Sequence, residues 1–485
     1  MKHSYPTQTE QYNFHLIHGE KVCSGASSSA ITDPATGQEI ASLPVGNGSE
    51  TDQAVSSAHQ ALNGPWKNLL PYDRGQLLFH LADLITRDAQ YLAALETVNV
   101  GKPYSQAMRD VDRTARYFRY YAGVCDKFHG ETVPLGPGQT GWVQPEPIGV
   151  TAHILPWNYP ISTFARGAAP ALAAGACVVA KPAEETPLTT LAIAKLALEA
   201  GIPPGVLNVV CGNGSTGAAL AAHPQIAQVT FTGSTATGRK VMQAAANPIA
   251  GVTLELGGKS PVVVLDGADI DDAVAGIARG IFFNAGQICT AGSRLIASAS
   301  VHDEIVEKLI GYAKSMTRDH GLSDPDLGPL ISRRHRTRVS GFVGRARAEG
   351  LDCALGGGCA NLGAFPNGAF FEPTIFSRVP VQAEIAQAEV FGPVLTTHIA
   401  DDFDHALEIS NATKFGLVAG IYTPDITQAM RYARDVQAGQ VFINGFLKGG
   451  DTLPFGGVKE SGIGREKGLA AMASYTAQKS VVITC

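Results

Sequence analysis

Apolar positions three and four apart recur over residues 50–62 and 71–98 and predict two amphipathic helices. A third helical stretch, about 104–122, combines that spacing with many charges and aromatics. The first forty residues are polar, with a turn at Asp33-Pro34-Ala35-Thr36-Gly37, and residues 128–147 read as an extended, Gly- and Pro-rich arm or connection. From Val150 the pattern changes. Short apolar runs at 149–155, 177–180, 207–210, 228–231, 252–256 and 261–265 predict strands, separated by helices such as 189–200, which Gly201 and Pro203 stop. Strand–helix alternation implies parallel strands joined by crossovers, hence an α/β protein whose ligands bind beyond the carboxyl ends of the strands. A second alternating block, about 260–462, predicts a separate α/β domain.

Composition narrows the class. A chain of 485 residues predicts two or three domains, and 45% hydrophobic against 16% charged residues describes a folded chain. The formal net charge of -6, without any basic block, argues against nucleic acid as a partner. The apolar segment 167–180 contains Pro170 and Gly175, is bracketed by Arg166 and Lys181, and falls short of the roughly 20 residues that span a membrane. It predicts a buried segment and no membrane association. Residues 1–11 are polar and lack the apolar core of a signal peptide. Eight cysteines form no CxxC and thirteen histidines no HxxxH pair, so reduced thiols in a cytoplasmic protein without a metal site are expected.

Several residues are chemically conspicuous. Gly212-Asn-Gly214-Ser-Thr-Gly217 fits a dinucleotide fingerprint, but no Asp or Glu follows from Ala218 until Glu255, so its ribose-binding partner is missing. Two other strand ends suit a nucleotide better. Lys181 and, three residues on, Glu184 follow one strand, where a carboxylate can accept from ribose hydroxyls and would repel a 2′-phosphate. Thr232-Gly233-Ser234-Thr235 follows another and opens a helix, which offers amides and a dipole end to a pyrophosphate. Ordinary αβ turns have the same composition, and Arg239-Lys240 in place of a P-loop ending disfavours ATP.

Cys289 stands among small and polar residues in Asn284-Ala285-Gly286-Gln287-Ile288-Cys289-Thr290-Ala291-Gly292, where a thiol can meet a substrate; Cys177, in an apolar strand, reads as core. Glu255 is a carboxylate inside an apolar strand, where burial raises its pKa toward that of a useful general base. Asn158, in Pro156-Trp157-Asn158-Tyr159-Pro160, offers an amide donor suited to an oxyanion. An inert cysteine and a satisfied strand-end glutamate are the structural alternatives.

Phe231-Thr-Gly-Ser-Thr235, Leu254-Glu-Leu-Gly-Gly-Lys-Ser-Pro261, Gly-Gln-Ile-Cys289, Glu389-Val-Phe-Gly-Pro393 and Pro454-Phe-Gly-Gly457 follow in order. Together they resemble the aldehyde dehydrogenase superfamily across nearly the whole chain. The resemblance implies Cys289 as nucleophile, Glu255 as general base, and Asn158 with the Cys289 amide as oxyanion hole. It implies an NAD site formed by Lys181, Glu184, Gly233, Ser234, Glu389, Trp157, Leu256 and Phe391, with Gly212–Gly217 a mimic. It further implies a Rossmann-type cofactor domain (1–124 and 148–257), an α/β catalytic domain (258–460), and an extended oligomerisation arm (125–147 and 470–485) that builds a homodimer or homotetramer. The reaction implied is NAD-dependent oxidation of an aldehyde to its acid through a cysteine thiohemiacetal and thioester. Glu255 argues against the acyl-CoA-forming branch.

By the same resemblance, Arg166, Arg113, Tyr159 and Phe455 line the substrate tunnel. Arg166 stands where succinic semialdehyde and salicylaldehyde dehydrogenases resemble it, and two arginines favour an anionic semialdehyde or aryl aldehyde. Pairing of Arg113 with Asp110 or Asp112, and of Arg166 in a packing salt bridge, is the structural alternative, which leaves neutral and cationic aldehydes open. Gly167 lies where several relatives carry a lysine, so a proton route through that lysine is in doubt. Two rival classes remain: a non-catalytic NAD-binding protein and a cysteine hydrolase.

Overall fold

The computed structural model describes residues 3–6, 12–23, 27–450 and 452–485; most of the polar start, 1–11, lies outside them. Among the described residues, an eight-stranded sheet runs Glu20–Val22, His15–Ile17, Leu207–Val209, Cys177–Lys181, Val150–Ile154, Gln228–Thr232, Gly251–Glu255 and Gly462–Ile463. Its five middle strands are parallel, and the flanking ones pair antiparallel. The chain order reverses between Val150–Ile154 and Gln228–Thr232, which opens a crevice at the carboxyl ends of the two strands.

A second sheet, of seven strands, runs Cys353–Leu355, Thr374–Phe376, Val394–Ala400, Arg294–Ser298, Pro261–Val264, Val418–Tyr422 and Gln440–Ile443. All but the first are parallel to their neighbours. Each sheet is packed in its own apolar core: one gathers residues up to Leu256 together with Leu322, Ala471, Met472 and Tyr475, the other begins at Val262. The strands are apolar on both faces because helices cover both, as parallel sheets require. Outside both bodies, Thr476–Thr484 pairs along its whole length with Gln139–Pro147, which also pairs with Glu131–Val133.

Three expectations change. The first forty residues are not simply polar: Tyr12, Phe14, Leu16 and Ile17 are buried, and His15–Ile17 joins the sheet edge beside Leu207–Val209. A three-residue strand is too short to register as an alternating pattern. The helix expected over 71–98 is two, Pro71–Arg87 and Ala89–Val100, broken at Asp88 (φ -95°, ψ 15°), a residue type that competes poorly in helix interiors. Helix Tyr104–Ala122 is not a solvated face throughout, because Asp110 and Gln106 lie on its buried side. Among the described residues, no helix is long and apolar enough to cross a membrane, and no group of three or more His, Cys, Asp or Glu is placed to hold a metal ion.

Candidate active site

A cavity of about 1020 Å³ lies over the crevice and reaches across to the second body. Every site residue expected from the sequence lines it, from Lys181 and Glu184 at one end to Arg113 and Phe455 at the other. Its volume suits a dinucleotide together with a small substrate.

Glycines allow the close approaches. A Cβ at Gly257 would sit 2.3 Å from Glu389 Oε2, and one at Gly258 would sit 2.5 Å from the Cys289 carbonyl oxygen. The pair after Glu255 therefore lets the Glu389 loop and the Cys289 loop dock directly on the strand end. Left-handed backbone precedes Cys289 at Asn284 (φ 48°) and Ala285 (φ 53°), and Phe391 (φ 61°) adopts it in the facing loop. Such strain in non-glycine residues persists only where surroundings impose it, typically at functional sites. The buried Gln287 fixes the loop, donating from Nε2 to the Asn284 carbonyl and accepting on Oε1 from the Ile331 amide.

Cys289 is half-buried, and burial pushes its thiol up to about 12 against the opposing pull of Arg166. Glu255 is buried, and neither carboxylate oxygen has a hydrogen-bond partner among the described residues. Burial first, then the neighbouring Glu466 carboxylate, holds its pKa well above the usual range. An unpartnered buried carboxylate is costly, so this one is poised to take a proton. Asn158 Nδ2 donates to the Gln287 carbonyl at 2.9 Å. An amide nitrogen carries two N–H groups, so a second remains to donate elsewhere.

At the nucleotide end, Lys181 Nζ donates to the Pro182 and Gly212 carbonyls, both at 2.8 Å. Ser234 caps helix Thr235–Ala245 by accepting from the Thr237 amide, leaving the helix's first turn facing the cavity. The Gly233 amide is spent on the Glu255 carbonyl, so that residue offers close approach rather than a donor. Leu256 is held by the Ser461 carbonyl and fills the space beside Gly238. Trp157 meets Phe391 edge-on at 5.2 Å, and Glu389 accepts from the Gly258 amide, its pKa pushed up to about 7 by burial. The segment with the dinucleotide fingerprint is not remote: Gly214 and Gly217 form cavity wall beside Lys181.

At the other end, Arg166 forms a buried ion pair with Glu466 and donates to Thr232 Oγ1, so the salt-bridge alternative holds for its guanidinium. Arg113 lies 3.7 Å from Asp110, whose other oxygen is 2.7 Å from the buried Lys102; Lys102 also contacts Glu96. Tyr159 and Phe455 are the aromatic walls. Sequence reasoning missed Glu466 and Lys467, as well as Arg109 and Arg279 at the cavity rim. No linear motif marks them. Glu466 reaches Glu255 only because Gly462–Ile463 pairs with the strand carrying Glu255, two hundred residues earlier.

Residues 22–481 match the sequence profile of the Aldehyde dehydrogenase family. Aldehyde dehydrogenase family 2 member B4, mitochondrial, of Arabidopsis thaliana is 42% identical over 473 residues, covering 96% of this chain and 87% of its own. The betaine aldehyde dehydrogenase of Mesorhizobium japonicum is 39% identical over 481 residues, covering 99% and 97%. Among solved structures, the NAD+ complex of an aldehyde dehydrogenase from Bacillus cereus superposes with a TM-score of 0.96 at 37% identity, over 99% of this chain and 97% of that one. The chain belongs to the aldehyde dehydrogenase family and is an oxidoreductase.

Proposed function

We propose that this chain oxidises an anionic aldehyde, an ω-semialdehyde or acidic aryl aldehyde, to its carboxylic acid with NAD+. The carrying observation is one cavity that gathers Cys289, Glu255 and Asn158 with an excess of cationic groups at its substrate end. There, Arg113, Arg109, Arg166, Arg279 and Lys467 all line the wall, against Asp110 and Glu255, with Arg166 in an ion pair with Glu466 and Arg113 3.7 Å from Asp110.

Lys181 and Glu184 would hold the adenosine ribose, the turn at Gly233 and Ser234 the pyrophosphate, and Glu389 the nicotinamide ribose, with Trp157, Leu256 and Phe391 as apolar walls. The tightness at Gly257, which leaves Glu389 room to face the cavity, fits such a group. When bound, NAD+ supplies the hydride acceptor. The chain's own residues do the rest. Cys289, as thiolate, attacks the aldehyde carbon, and the oxyanion rests on Asn158 Nδ2 and the Cys289 amide. Loss of hydride from that carbon leaves a thioester on Cys289. Glu255 takes a proton from water, hydroxide attacks the thioester carbon, and the acid departs as the thiolate is restored.

The cofactor half would be 1–124 with 148–257, the catalytic half 258–460, and the strands of 125–147 and 470–485 an arm that extends a neighbour's sheet in a cytoplasmic homodimer or homotetramer. A neutral or cationic aldehyde is the second reading, favoured by the betaine aldehyde dehydrogenase among the relatives. Comparing kcat/KM for NADH formation with succinic semialdehyde, butyraldehyde and 4-aminobutyraldehyde decides between them. A preference of tenfold or more for the carboxylate is expected; equal rates, or a preference for the amine, would overturn the anionic assignment.

A further inference from the structure

We propose that Arg338 and His335 are positioning residues: from one helix they lock the loop Glu389–Phe391 against the cavity and so set the grip on the nicotinamide half of NAD+. This rests on the reading above that Glu389 meets the nicotinamide ribose.

Three successive carbonyl groups of that loop are taken by two side chains of the helix Arg333–Ala348. Arg338 donates from Nη2 to the Glu389 carbonyl at 2.9 Å and from Nη1 to the Val390 carbonyl at 2.7 Å. His335 donates from Nε2 to the Phe391 carbonyl at 2.7 Å. Residues three apart on a helix share a face, so both side chains reach the same loop. Burial holds the His335 imidazole down at about 4, and a neutral ring bonded to a carbonyl carries its proton on Nε2. The same ring meets Trp157 edge-on at 5.2 Å, and Trp157 meets Phe391 edge-on at 5.2 Å, so three rings close one wall of the cavity.

A second observation is independent of these bonds. Phe391 has φ 61°, left-handed backbone that a bulky side chain rarely adopts and that persists only where its surroundings impose it. One residue further on, the loop rests on the segment that carries Cys289: a Cβ at Gly286 would sit 2.1 Å from the Gly392 carbonyl oxygen. The Glu389 carboxylate is held separately, by the Gly258 amide at 3.0 Å. The loop backbone is therefore fixed by the helix, its carboxylate by a strand end, and its far side by the nucleophile's loop. A loop tied so closely on three sides holds Glu389 at one place for its ligand, and the helix supplies the side-chain bonds to its backbone.

The test is titration calorimetry with NAD+ and with ADP, a probe that lacks nicotinamide and its ribose. Arg338→Met should weaken NAD+ binding about fivefold or more and leave ADP within about twofold, so ADP also reports that the variant is folded. His335→Ala should act in the same direction, and His335→Gln, which returns an N–H donor, should recover most of the loss. In a Glu389→Gln background, Arg338→Met should add less than about twofold, because the carboxylate it places is gone. Equal weakening of NAD+ and ADP, or full additivity with Glu389→Gln, would overturn the positioning role. If Glu389→Gln shifts the ratio of NAD+ to ADP affinity and Arg338→Met leaves it at the parental value, the clamp falls while the ribose reading stands. If Glu389→Gln itself leaves that ratio unchanged, both fall.

Discussion

Protonation of two residues sets the pace of the proposed chemistry. Cys289 must lose a proton to attack, and burial holds its thiol up at about 12; Glu255 must be ionised to activate water, and burial with Glu466 raises it as well. Rising pH removes protons from both, and both work as anions. Activity should therefore climb with pH, with log kcat/KM rising steadily between about pH 6 and 9 as the thiolate fraction grows. A steady-state profile that is flat or falling above pH 7 would contradict this. Cys289, Glu255 and Asn158 stood out in the sequence as candidates, with bland alternatives open until the family resemblance joined them, and all three line one cavity. Glu466 and Lys467 did not, because their meaning arises only when Phe455 and Glu466 bond across a turn. For Arg166 the resemblance offered a tunnel wall and the residue type a salt bridge; the ion pair is present, and its partner Glu466 was not legible.

Elements carry these residues to their places. The strand ends after Ile154, Lys181, Thr232 and Glu255 all open on one crevice, and their apolar runs were readable to within a residue or two. Helix Tyr104–Ala122 was readable to its ends, yet its charges misled, since the spacing of Asp110 alone does not reveal burial against Lys102. Lys102 joins the loop before this helix to Glu96 on the preceding one, with burial opposing its charge and Asp110 and Glu96 outweighing that. Lys102→Met would leave buried Glu96 without its cation and Asp110 with only the more distant Arg113. Breaking such a pair costs about 3–5 kcal/mol, so urea unfolding should register a loss of that order. A midpoint unchanged from the parent would mean that the network contributes nothing to folding. The short edge strand His15–Ile17 and the break at Asp88 escaped the pattern because neither changes the local spacing of apolar residues.

At the scale of the whole molecule, the groups proposed to react come from both bodies. Glu255 ends a strand of the eight-stranded sheet, while Cys289 stands on a loop between a helix and a strand of the seven-stranded one. The two alternating blocks were visible in the sequence as separate α/β units. Their meeting at one cavity came only from the family resemblance and not from the pattern, because it depends on Gly257 and Gly258 admitting the Glu389 and Cys289 loops. In the proposed reaction, a thioester forms on one body and is hydrolysed by the other. The direct measurement is rapid mixing of Glu255→Gln with NAD+ and succinic semialdehyde, following NADH. A burst approaching one NADH per site, then turnover at least a hundredfold slower than the parent, is the expected result. Steady turnover at the parental rate without a burst would contradict the assignment of Glu255 and, with it, the convergence of the two bodies on a shared intermediate.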